Sequence, residues 1–562
     1  MPTFHHYTLR SNQRINESTY TTALNNNATY LSYRETGAFS RLVYDYIDQA
    51  PALQPFLSVT PNVEGIKEAI SNREDADQSG RAVLAKQLAE QYAGIDTSDK
   101  VKTNIAALSN GNAYTICTAH QPNLFTGHLY FVYKILHAVK LADILSNQIP
   151  DAHFIPVFYM GSEDADLEEL GRVIINGKTL TWKTDQTGAV GRMKVDDKLL
   201  SLIKEIEGQL SVEQHGKEII ALLKASYKIG QSIEQSTFLL VNNLFKEYGL
   251  VVLLPDNPSL KALFKQTIKK ELTTQFSSNA VSETIAIFPS EYKVQAGGRE
   301  INLFYLKDDL RARIEKVGEV FRIAGTNINF SQDEILAELE LFPERFSPNV
   351  ITRPLYQETI LPNVAFIGGG AELAYWLELK TLFNKAAVPF PVLLLRNSFI
   401  VLDRKTDDKI RSLNLDTCDF FQDPNKILVQ VVRKKSSANL SLEKQKESIA
   451  AIYNHIAEVG HTADPTLRKH VYALSAQSLK KLELLEKKLL KVEKRKFEAE
   501  ERQITKIKFT LFPGGTLQER VDNLLPYYAT YGKNFLQAVY ENSLGLEMKF
   551  CILRFHGKTP SK

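Results

Sequence analysis

The sequence predicts an α/β protein: a doubly wound core with inserted connective segments, followed by a C-terminal α-helical coiled coil. Three observations carry this. Short apolar runs of the kind buried on both faces of a parallel sheet alternate with helical stretches through much of residues 109–434. Polar, glycine-bearing loops follow those runs, where such folds keep their ligands. Beyond residue 435 the texture changes to charged helix with an apolar repeat.

In chain order, residues 1–108 read as helices with polar loops, with Phe39, Leu42, Val43 and Tyr46 at helical spacing. The first part of the core, 109–171, opens with the strand YTICTAH, the loop QPNLFTG and a helix from His128 whose Val132, Ile135, Leu136, Val139 and Ala142 form one stripe. A second strand, Phe154 to Met160, ends in GSEDAD. Connective insertions fill 172–344, with a hairpin around Asn176-Gly177 and a βα unit near 235–280 whose strand is Leu250 to Leu254. The second part of the core, 345–434, runs through TRPLYQ and a turn at FIGGG into the helix AELAYWLELKTLF, then the strand PVLLL at 391–395. In 435–512, Ile449, Ile452, Ile456 and Val459, then Leu482, Leu485, Leu489 and Val492, repeat at 3-4-3 spacing on two helices joined by GHTADP, an antiparallel hairpin able to pair with a second copy. The segment 513–562 is turn-rich, then helical, and is expected to fold back on the core.

At 562 residues the chain exceeds one core, and 44% apolar with 24% charged residues is a globular composition. A net charge of +3 supplies no general field toward nucleic acid or anionic lipid. The N-terminus lacks the apolar stretch of a secretory signal and no run is long enough to span a bilayer, so a cytoplasmic location is expected. Three separated cysteines argue against a disulfide framework and a cysteine metal site, and Cys117 reads as a buried strand residue.

Four loops converge on one predicted sheet edge. Thr126, Gly127 and His128 stand at a helix entry, where free N–H groups favour an anion, and Lys134 shares that helix face. His120 and His128 are phosphate donors or ordinary polar residues beside a cap. Glu163, Asp164 and Asp166 suit an ammonium group, a proton acceptor or a water-bridged Mg2+, or else N-capping. Gly368, Gly369 and Gly370 permit close approach of a nucleotide or sugar, without a P-loop ending. Arg353 and Arg396 are carboxylate or phosphate clamps, or structural ion pairs.

In this order, HQPNLFTGHLYFVYK, FYMGSEDADLEEL, GLVVLLPDNPSLK, FSPNVITRPLYQETILPNVAFIGGGAELAYW and LFPGGTLQERVDNLLPYY resemble the cysteine ligase family of bacillithiol biosynthesis (BshC), over nearly the whole chain. The resemblance implies a Rossmann-like core related to nucleotidylyltransferases and class I aminoacyl-tRNA synthetases, and a coiled coil that forms a homodimer. It implies joining of cysteine to glucosaminyl-malate, the last step to bacillithiol. Carboxylate activation by ATP with Mg2+ is the chemical expectation added to it. His120 to His128 stands where the superfamily keeps HxGH, with a longer spacer, while His128 and Ala165 replace the proline and histidine of the family pattern. The expected catalytic set is His120, Thr126, Lys134, Glu163 and Asp164. The binding set adds Gln121, Asn123, Gly127, His128, Asp166, Arg353, Gln357, Gly368, Gly369, Gly370, Glu372, Tyr375 and Arg396, with no resident metal site. No nucleic-acid or membrane partner is expected. A KMSKS loop is not evident, since Lys434-Lys435-Ser436-Ser437 leads into the coiled coil. Two readings stay open beside the ligase: nucleotidyl transfer or synthetase-like chemistry on another small acid, and a noncatalytic coiled-coil scaffold.

Overall fold

The computed structural model describes residues 27–76, 79–437 and 440–555, so the ends of the 1–108 and 513–562 segments lie outside the described residues. Five parallel strands form the central sheet: β1 (Ala113–His120), β2 (His153–Met160), β3 (Val251–Leu253), β4 (Asn363–Gly368) and β5 (Val392–Leu395). Their spatial order is β5-β4-β1-β2-β3. From β1 the chain winds outward to β2 and β3, then returns to the other side of β1 for β4 and β5. That reversal between β1 and β4 is the topological switch point, and it opens a crevice at their carboxyl ends.

Register fixes what meets there. His120 lies opposite Met160, and Gly368 opposite Leu395, so the ends of four strands finish nearly level. The helix after β1, α1 (Leu129–Gln148), buries its predicted stripe and also Tyr133, Lys134 and His137, because it is covered on nearly all sides. Each fully buried Leu or Ile there contributes about 1.5–3 kcal/mol, which makes α1 a rigid base for the loop before it.

Strand β4 was not anticipated: FIGGG read as a turn, whereas FIG completes the strand NVAFIG and only Gly369 begins the turn. The run is short and wholly buried, so it lacks the alternation that marks a strand. RPLYQ opens helix α2 (Arg353–Ile360), with Pro354 in its first turn. Helix α3 (Gly370–Leu377) follows β4. The hairpin at Asn176-Gly177 is present, both residues at positive φ between antiparallel Arg172–Ile175 and Lys178–Thr181. The insertion also contains a five-stranded antiparallel sheet that includes Leu303–Lys307 and Leu310–Val317.

The core sheet ends at Leu395. From Ser398 the chain enters a separate sheet, where Ser398–Asp403 runs parallel to Phe550–Phe555 and Ala28–Leu31 pairs antiparallel on the far side of Phe550–Phe555. The described part of the tail packs against the core. Two long helices, α4 (Glu443–Ala463) and α5 (Leu467–Lys494), form the antiparallel hairpin. Its inner face uses Tyr453, bonded to Ser478 Oγ, with buried Ala457 and Val471. Much of the 3-4-3 stripe points outward instead: Ile452, Ile456, Val459, Leu485, Leu489 and Val492 are all exposed. Those residues are therefore not the seam within the hairpin.

Candidate functional site

The crevice at the switch point holds a cavity of about 430 Å³. It is bounded by the ends of β1 and β2, the first turns of α2 and α3, Arg396 after β5, Arg311 from the inserted sheet and Arg520 from the tail. Of the expected residues, it brings together His120, Gln121, Lys134, Glu163, Asp164, Arg353, Gly369, Gly370, Glu372, Tyr375 and Arg396.

His120 is the last residue of β1, packed edge-on against Tyr130 with ring centroids 5.3 Å apart. Its Nε2 is shielded and has no hydrogen-bond partner. Burial, helped by nearby Lys134, His128, Arg396 and Arg353, holds its imidazole well below the usual pKa. It is therefore neutral at pH 7, with one ring nitrogen available to exchange a proton.

Lys134 lies on the second turn of α1 and is buried. Its Nζ donates to Ala119 O at 2.7 Å and pairs with Glu372 Oε2 at 2.6 Å. Burial lowers its pKa, against the opposing pull of Glu372. The same Glu372 oxygen accepts from Gly369 N–H at 2.8 Å, so one carboxylate ties α3 to α1 across the switch point. Glu163 pairs with buried Lys261 at 2.5 Å, and burial raises its pKa despite that partner. Asp164 Oδ2 accepts from Gln121 Nε2 at 3.2 Å. Exposed Glu169 adds a second carboxylate on this side; burial of its carboxyl group and neighbouring Asp166 and Asp164 raise its pKa.

Arg353 begins α2, donating from Nη2 to Tyr375 Oη at 2.6 Å and from Nη1 to Gln357 Oε1 at 3.2 Å. Arg396 lines the cavity but is held by Glu519 at 2.7 Å, the structural ion pair that was one of its two readings.

Several expected residues stand elsewhere. Asn123, Thr126, Gly127 and His128 do not line the cavity. Phe125, Thr126 and Gly127 all have positive φ, and this turn tucks the loop under the tail. Asn523 Nδ2 donates to Phe125 O and Gly127 O, Leu129 N–H donates to Asp522 O, and the His128 ring contacts Val521 O. The entry of α1 is thus closed by protein, not open to an anion. Asp166 caps the short helix Leu167–Leu170 through Glu169 N–H. Gln357 is fully buried against Glu358 and Arg353, and Gly368 ends β4 within the sheet. Gly370 is explained by packing, since a Cβ there would stand 2.7 Å from Val43.

Sequence reasoning missed Arg311, Arg520, Glu169, Tyr130, Tyr159 and the partner Lys261. The signal for Arg520 and Glu169 was present, since both lie inside quoted motifs. Arg311 sits in an ordinary alternating strand, and nothing local distinguishes it. Among the described residues, no group of three or more His, Cys, Asp or Glu side chains is arranged to hold a metal ion. No described helix is long and apolar enough to cross a membrane.

The comparisons with known proteins fit this division of the chain. Residues 27–397 match the family model described as "Bacillithiol biosynthesis BshC, N-terminal Rossmann-like domain", and residues 399–555 match "Bacillithiol biosynthesis BshC, C-terminal coiled-coil domain". A Flavobacterium johnsoniae protein named "Putative cysteine ligase BshC" is 37% identical over 524 residues, covering 93% of this chain and 99% of that protein. Proteins with the same name from Christiangramia forsetii and Flavobacterium psychrophilum are 37% and 35% identical, each covering 93% of this chain and 98% and 99% of their own lengths. The chain belongs to the BshC family of bacillithiol biosynthesis.

Proposed function

We propose that this protein is a ligase that forms the amide between the carboxylate of L-cysteine and the amino group of glucosaminyl-malate, the last step of bacillithiol assembly. The observation that carries the reading is His120: a neutral imidazole whose Nε2 has no hydrogen-bond partner, at the switch point in a cavity lined by the carboxylates of Asp164 and Glu169 and the guanidiniums of Arg353 and Arg520. An amine attacking an acyl carbon must lose a proton, and a neutral imidazole accepts one at pH 7. Asp164 and Glu169 hold the ammonium form of the incoming amine before attack. Lys134 Nζ stabilises the negative charge that develops on the acyl oxygen.

Amide formation is uphill in water, so ATP with Mg2+ is the proposed source of carboxylate activation: adenylate or phosphate placed on the cysteine carboxylate would leave as AMP or phosphate when the amine, freed of its ammonium proton, attacks. Dimerisation through the outward stripe of α4 and α5 completes the reading, because six large apolar side chains on one hairpin are otherwise left in water.

The test incubates purified protein with glucosaminyl-malate, cysteine and Mg·ATP and follows the cysteinyl amide by mass spectrometry. Wild type should form it, and folded His120→Ala and Asp164→Asn should not. Absence of product from folded wild type with each nucleotide tried sinks the ligase reading.

A further inference from the structure

The six cationic side chains in and behind the cavity fall into two sets. Lys134, Lys261 and Arg396 are neutralised by Glu372, Glu163 and Glu519 at 2.6, 2.5 and 2.7 Å. Arg311, Arg353 and Arg520 have no carboxylate oxygen within 4.0 Å among the described residues. They come from three separate elements: a strand of the inserted sheet, the start of α2 and the tail. Arg311 is stacked on the Phe304 ring at 3.9 Å, which fixes its plane, and its Nε is shielded without a partner. Arg353 is fixed by Tyr375. Glu163 and Asp164 pull on Arg311, and Glu372 on Arg353, without pairing with them, and a guanidinium with no paired carboxylate in a partly enclosed site is stabilised by a bound anion.

We propose that Arg311, Arg353 and Arg520 are the anion-binding arms of a receptor for a dicarboxylate, with Arg311 the residue that sets its specificity. Resting on the ligase reading, the dicarboxylate is the malate arm of the acceptor. Each guanidinium presents a planar fork that takes one carboxylate through two parallel hydrogen bonds. Two carboxylates therefore engage arms from at least two elements, whereas the single carboxylate of cysteine engages one. An acceptor with one amine and two carboxylates matches both the carboxylates and the guanidiniums that line the cavity.

The experiment titrates L-malate, acetate and inorganic pyrophosphate into wild type, Arg311→Gln and Arg520→Gln by calorimetry, with acceptor and cysteine KM measured in the product assay. Wild type should bind malate more tightly than acetate. Each variant should weaken malate by about tenfold or more and raise the acceptor KM with cysteine KM unchanged. Arg520 is exposed, so that variant keeps its fold and decides the matter if Arg311→Gln does not fold. Malate bound no better than acetate, or unchanged by both substitutions while product still forms, overturns the receptor. So does pyrophosphate bound more tightly than malate and lost in the same variants. Arginine-dependent malate binding without any cysteinyl product leaves the receptor standing and sinks the ligase reading instead.

Discussion

Lys261→Met should expose how strongly the wall of the cavity depends on one buried ion pair. Lys261 is fully buried on the helix Pro258–Ala262; it pairs with Glu163 at 2.5 Å, donates to Phe346 O at 2.9 Å and lies over the Tyr356 ring. Methionine keeps the length of the side chain and removes the charge. Breaking one partner of a buried pair costs about 3–5 kcal/mol, because the other charge is left in a poorly solvating site. Glu163 can escape by taking a proton, and this gives the loss a pH signature. Its folded pKa is already raised by burial, so between the unfolded and folded values the native state holds the extra proton and stability falls as pH rises. Without Lys261 that folded pKa moves further up. The deficit of the variant should therefore be small near pH 5 and grow by up to about 1.4 kcal/mol per pH unit until it levels off. Thermal melts followed by tryptophan fluorescence should show a Tm drop of roughly 3–6 °C at pH 8 and much less at pH 5. Adding Glu163→Gln should recover most of it. An equal loss at both pH values, or no recovery in the double variant, refutes the argument.

His120 should stay neutral across pH 6–9, so its ring signals in a heteronuclear NMR titration should show no inflection near 6.5. Because the unfolded chain binds a proton that folded His120 refuses, its contribution to stability should weaken as pH falls below about 6.5; an imidazole titrating near 6.5 in the folded protein contradicts this. Thr126→Ala should leave turnover within about twofold, since the hydroxyl is turned from the cavity. Gly127→Ala should cost about 2–3 kcal/mol in melts, because φ is +62° and a Cβ would stand 2.7 Å from that of Asn123. The reverse ranking restores the sequence-based roles. Leu489→Asp should convert a dimer to a monomer in light scattering without lowering the Tm of the core; a monomeric wild type disposes of the coiled-coil interface.

The sequence was most legible where local pattern and tertiary role agree. Strand β1, helix α1 and strand β2 follow from apolar runs and a single stripe, and His120, Glu163 and Asp164 line the cavity because they stand where strands end at one edge. What failed was orientation. Gly127 and Thr126 occupy the expected loop, yet three consecutive positive φ values turn it under the tail, and no spacing rule encodes that choice. The helical stripe of Ile452 to Val492 was read correctly as a stripe, but periodicity cannot say whether an apolar face meets its own hairpin or solvent. Arg311 was invisible because its importance lies in having no paired carboxylate, a property of the assembled molecule.

The tail explains why the end of the chain carries a motif as distinctive as those of the core. Glu519 fixes Arg396 and accepts from Phe399 N–H, Arg520 lines the cavity, Asp522 and Val521 close the entry of α1, and Asn523 holds the turn at Gly127. Four of these five consecutive residues thus bond to segments at least 120 positions away in the chain. They perform two tasks with opposite demands. Asn523 and Asp522 hold backbone groups of the turn after β1, Phe125 O, Gly127 O and Leu129 N–H, which fixes the loop that follows His120. The exposed member, Arg520, is left without a carboxylate partner, and that absence is what a ligand can use. The site is therefore complete only when the second domain has docked on the first, and the unpaired guanidinium is the part of that docking surface that the protein leaves for substrate.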